Sequence, residues 1–107
     1  MKRIRKVRLE PNVFFEEPLT EHLAFEIEQK GWCAIAIAEL PDGKRVKLFF
    51  YDPVRLTQDL ETDSATGETF IAEPGLIVIP KVTREYMENA VKRLYRKGYF
   101  NSLVPLS

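Results

Sequence analysis

The sequence predicts an α+β fold, a mostly antiparallel sheet of about five strands with two helices packed on one face. Three observations carry this. Apolar stripes at helical spacing occur near both ends of the chain, at 18–30 and 83–97, each closed by a glycine. Two apolar runs, Trp32–Ala38 and Val46–Asp52, flank the turn segment Leu40-Pro41-Asp42-Gly43, which reads as a hairpin. A further buried run, Leu76–Ile79, lies between Glu73-Pro74-Gly75 and Pro80.

The elements follow in order. Residues 2–9 are basic with Ile4, Val7 and Leu9 interspersed and read as an edge strand or arm. Val13-Phe14-Phe15 is an apolar patch between Pro11 and Pro18. The first helix is expected over about Pro18 to Lys30, with Pro18 in the first turn or Thr20 as N-cap. Leu19, Leu23, Ala24 and Ile27 make its buried stripe, Phe25 lies opposite, and Gly31 stops it in the left-handed region. In Trp32–Ala38, Ile35 and Ile37 alternate with Ala34, Ala36 and Ala38. Both faces are apolar, which predicts a central strand covered on each side, with Cys33 sharing the Ile35/Ile37 face.

Pro53 is expected to end the partner strand. Val54, Leu56 and Leu60 alternate imperfectly and read as a half-exposed strand, with a short helix as the other option. The segment 62–67 is loop-like and Glu68–Ala72 resumes a strand. The last helix opens at the N-cap Thr83, buries Met87, Ala90, Val91 and Leu94, carries Arg93, Arg96 and Lys97 near its end and stops at Gly98. The parallel between Lys30-Gly31-Trp32 and Lys97-Gly98-Tyr99 reads as two capped helices each followed by an aromatic, not as a repeat.

The chain of 107 residues and 12.4 kDa is expected to form a single domain over 1–107. By area scaling, folding takes about 18,000 Å² of chain surface down to about 6,000 Å², enough for a core without staples. Sixteen basic residues balance sixteen acidic ones, so no global field attracts nucleic acid or an anionic membrane. One cysteine cannot form an internal disulfide. The N-terminus has a charged start with no apolar run behind it, and the longest apolar stretch is too short to span a bilayer. The expectation is a cytoplasmic protein without a membrane partner.

The chemistry is read mostly by elimination. His22 and Cys33 are the single residues of their kinds, eleven positions apart in different elements, and no nucleophile–base pairing follows from that spacing. Glu17, Glu21 and His22 do not converge as metal ligands, and Asp59, Glu61 and Asp63 lack the glycine and distal glutamate of a calcium loop. Neither GxGxxG nor GxxxxGK[ST] occurs. No cofactor, metal or catalytic residue is assigned, and an enzyme working through carboxylates remains a reading without a location.

Two positive signals are left. Phe14, Phe15, Phe25, Phe49, Tyr51, Tyr99 and Phe100, together with the apolar tail Leu103–Leu106, exceed what two short helices obviously cover. They point to a small non-enzymatic protein-binding domain, a regulatory or partner protein that self-associates as a homodimer. The alternative is a nucleic-acid binder. It would use Lys2, Arg3, Arg5, Lys6 and Arg8, with Lys44, Arg45 and Lys47 as a second group and exposed sheet aromatics as stacking platforms.

Overall fold

A computed structural model describes residues 9–106. The elements are β1 (Asn12–Phe15), α1 (Glu21–Lys30), β2 (Trp32–Glu39), β3 (Arg45–Tyr51), α2 (Pro53–Ser64), β4 (Leu76–Val78) and α3 (Arg84–Arg96), followed by a 3-10 turn at Tyr99–Ser102. The fold is α+β. The sheet is mixed, in spatial order β1-β2-β3-β4, with β1/β2 and β2/β3 antiparallel and β3/β4 parallel.

The hairpin forms where Pro41-Asp42-Gly43 predicts it. Asp42 accepts the Lys44 N–H at 3.0 Å, and the Leu40 N–H reaches the Lys44 carbonyl at 2.8 Å. α1 starts at Thr20, whose hydroxyl accepts the Leu23 N–H, and ends at Gly31 in the left-handed region. α3 starts the same way at Thr83, which accepts the Tyr86 N–H.

Three expectations are corrected. The segment 54–60 belongs to a helix, so α2 makes a third one. Asp52 caps it by accepting the Arg55 N–H at 2.7 Å, and Pro53, which ends β3, occupies the first helical turn. Residues 68–72 form no strand. The sheet therefore has four strands, and the crossover through α2 makes β4 run parallel to β3. The expected arm at 2–9 lies outside the described residues except for Leu9, which is exposed. Replacing the cap, Asp52→Ala, is expected to lower stability by about 1 kcal/mol, visible as a lower urea midpoint.

The core lies on one face of the sheet. Register partners share a face, so Val13, Phe15, Ala36, Ala38, Val46, Leu48, Phe50 and Ile77 point the same way. Ala36, Ala38, Leu48 and Phe50 are fully buried there. The two alanines leave room for Met87 and Val91 of α3, and Ile27 of α1 and Phe100 complete the same cluster. Cys33 joins this face and not that of Ile37. The register shifts between Cys33 and Ala36, so Ala34 and Ile35 together lie opposite Phe49 and the alternation inverts across the bulge.

Candidate functional site

The other face of the sheet follows from the same register. Phe14 lies beside Ile37 and Ile37 beside Lys47. Glu39 lies beside Arg45, Trp32 beside Tyr51, and Phe49 and Tyr51 beside Leu76 and Val78. Phe14, Trp32, Phe49, Tyr51 and Leu76 are half-buried, while Val78 is 46 % exposed. Ile37 sits in the middle, shielded by longer neighbours, and is not part of the core cluster on the opposite face.

Cations lie over the rings of this open face. The Arg45 guanidinium stands 4.8 Å from the Phe14 centroid and the Lys47 ammonium 5.8 Å from that of Phe49. Each cation also has an acid: Arg45 Nε reaches Glu39 at 3.1 Å, and Lys47 pairs with Glu16. These pairs are partly solvated, so they orient side chains more than they stabilise the fold.

At the Trp32/Tyr51 end α2 meets the face. Arg55 lies 5.5 Å from the Trp32 ring, bonds Asp59 at 2.9 Å and reaches the Lys30 carbonyl at 3.3 Å. The Asp59 carboxylate and the Trp32 indole both stand beside the Tyr51 hydroxyl. Desolvation pushes the Tyr51 phenol up from its ordinary 10.0, and the Asp59 charge adds to this. α2 itself buries no residue.

The structure thus brings together Phe14, Phe49, Tyr51, Arg45 and Lys47, which chain position alone does not relate. It sends the remaining aromatics elsewhere. Phe15 packs on the core side beneath Arg84, Tyr99 packs against the core, and Phe100 is 4 % exposed. Phe25 is 61 % exposed on α1, away from the apolar stripe of that helix. Lys44 stands at the hairpin turn beside Asp42. Lys2, Arg3, Arg5, Lys6 and Arg8 lie outside the described residues. Trp32, Ile37, Leu76, Val78 and Arg55 belong to the open face and were not singled out from sequence. Period-two alternation in β3 puts Arg45, Lys47, Phe49 and Tyr51 at one parity, and pairing with β2 and β4 then brings in Trp32, Ile37, Leu76 and Val78, while Arg55 on α2 carries no such signal.

A cleft of about 160 Å³ lies between α1 and β2, lined by Leu23, Ile27, Trp32, Cys33 and Ile35 with Glu17 and Lys30 also on its wall. Ligand pockets usually measure about 300–1,000 Å³. Burial pushes the Cys33 thiol up from its ordinary 9.0, opposite to what a nucleophile needs. Among the described residues no group of three His, Cys, Asp or Glu side chains converges as metal ligands, and no helix is long and apolar enough to cross a membrane.

A thiol held protonated by the fold stabilises it fully below its ordinary 9.0, and that contribution is lost as pH climbs through the raised folded value. Tyr51 and Tyr99 shift in the same direction from 10.0. The denaturation midpoint is expected to be flat from about pH 6 to 8 and to fall above about pH 9. A midpoint that rises on that alkaline side would contradict these directions.

No protein-family model matches the chain, and neither a curated protein nor a solved structure matches it.

Proposed function

We propose that this chain is a small non-enzymatic binding module that holds a protein on the open face of its sheet. One observation supports this above the others: Phe14, Ile37 and Phe49 share the face opposite the core, bridged by Arg45 and Lys47, with Trp32 and Tyr51 at its end. Aromatic residues and arginine on such a face are the composition of protein interfaces. Nucleic acid is the weaker reading for this face because Arg45 and Lys47 are each paired with a carboxylate, which leaves little net charge on the described part of the sheet for phosphates. A cytoplasmic setting suits a lone buried thiol.

The test uses the full chain and a Phe14→Ser/Phe49→Ser variant side by side. Host extract is passed over each, and labelled single-stranded RNA and DNA are filtered with each at about 50 mM salt, where phosphate contacts are strongest. The reading expects a protein retained by the native chain and lost with the variant, with no polynucleotide retained. Polynucleotide retained by the native chain and released by the variant would overturn it.

A further inference from the structure

The layout of charge on the open face says more about what it fits. Acids occupy the β1/β2 side, Glu16 just past β1 and Glu39 on β2, while Arg45 and Lys47 lie on β3. Glu39 and Arg45 are direct register partners across the β2/β3 pair.

Resting on the reading of this face as a protein-binding surface, we propose that its occupant is a second copy of the chain, docked through a two-fold axis parallel to the strands and midway between β2 and β3. Such an axis lays β3 of one copy over β2 of the other. Because Glu39 and Arg45 share a register level, it sets Arg45 over the partner's Glu39 and Glu39 over the partner's Arg45. Two pairs within protomers become a closed ring of four alternating charges. A two-fold perpendicular to the strands would lay β3 over β3 instead, and Arg45 and Lys47 would meet bases. Like charges across an interface exclude that arrangement. The selected geometry is isologous, as a two-fold dimer requires.

By the same operation Lys47 comes to lie over the partner's Ile37, its alkyl stem against that side chain and its ammonium still held by Glu16, while Phe49 is enclosed between the sheets. Phe14, one strand outside β2, reaches the position one strand outside β3 on the partner. On that side β4 has not yet begun, and Leu106 donates its N–H to the Arg45 carbonyl at 2.7 Å with its side chain 47 % exposed. The contact lies at the Glu39/Arg45 end, away from α2. Strands about 4.8 Å apart and about five residues long offer a patch roughly 17 by 19 Å. That is below the roughly 800 Å² per partner typical of stable complexes, so a reversible, concentration-dependent dimer is the form expected.

Sedimentation velocity on the full chain tests this, using the native protein, Glu39→Arg, Arg45→Glu and an equimolar mixture of the two variants, with circular dichroism to verify folding. The native chain is expected to move from monomer toward dimer as concentration rises to the order of 100 µM. Each variant alone sets like charges against each other at both sites and should dimerise at least tenfold more weakly. The mixture pairs acid with base at both sites and should restore the dimer. If a reversal unfolds the chain, Glu39→Gln and Arg45→Gln replace it, and their mixture should recover dimer in part. A native chain that stays monomeric throughout overturns the dimer, as does a mixture no more associated than its components. If such a monomer still retains a host protein through Phe14 and Phe49, the binding surface survives and only its occupant is wrong. If it retains none, both readings fall.

Discussion

Phe50→Ala is expected to cost about 3–5 kcal/mol, a large part of the roughly 5–15 kcal/mol that holds a domain of this size together. Phe50 is fully buried between Cys33 on β2 and Ile77 on β4, on the face that carries Leu48 and the core side chains of α3. Truncation leaves a cavity that neighbours held by a four-stranded sheet cannot collapse to fill. Urea denaturation followed by circular dichroism measures it as a large drop in midpoint. The adjacent Phe49 points to the open face, where Phe49→Ala removes a half-exposed ring and should cost markedly less. Equal losses at the two positions would contradict the assignment of faces.

The second large effect is expected at Gly75. It leads into β4 at φ 83°, and its carbonyl accepts the Phe49 N–H at 2.9 Å. A Cβ there would run into the backbone carbonyl of Lys47, which has no flexible end to swing aside. Gly75→Ala therefore combines left-handed strain, about 1–2 kcal/mol, with forced separation of β3 from β4, and a total of about 2–4 kcal/mol is expected. Gly43→Ala is its control. Gly43 has φ 92° with open space around it, so it carries the strain without the collision. Thermal unfolding of the two variants should place Gly75→Ala well below Gly43→Ala. The reverse order would mean that the parallel pair is not held this closely.

Much of this architecture is legible from residue chemistry. Thr20, Gly31, Thr83 and the Pro41-Asp42-Gly43 turn act locally, within a few residues, and each forms what its chemistry predicts. α2 is harder because Asp52-Pro53 serves two purposes: it ends a strand and caps and opens a helix. Weak amphipathicity around Val54, Leu56 and Leu60 does not separate those options. With α2 read as a strand, the parallel β3/β4 pair is out of reach, since it exists only because the helix carries the chain back across the sheet. The bulge at Ala34 and Ile35 is hidden for a related reason: it reverses the parity of Cys33 without any glycine or proline to announce it.

The candidate surface is legible by parts. Phe14, Phe49, Tyr51, Arg45 and Lys47 draw attention by type, but their common face depends on register across three strands. Phe15 and Phe100 carry the same side chain as Phe14 and Phe49, yet they lie on the core side. Residue type therefore cannot sort core from surface here. Parity and pairing can, once the strands are known.

The central claim is that the two faces of one sheet divide the work, one holding the fold and the other holding a partner. Sedimentation velocity of the native chain and Phe49→Ser at the same concentration, on the order of 100 µM, tests it most directly when paired with urea denaturation of the same samples. The account predicts that Phe49→Ser sediments as a folded 12.4 kDa monomer while the native chain shifts toward twice that mass. Unfolding of Phe49→Ser as severe as that of Phe50→Ala would contradict the division of faces, and identical sedimentation of the two would contradict a second copy as the occupant.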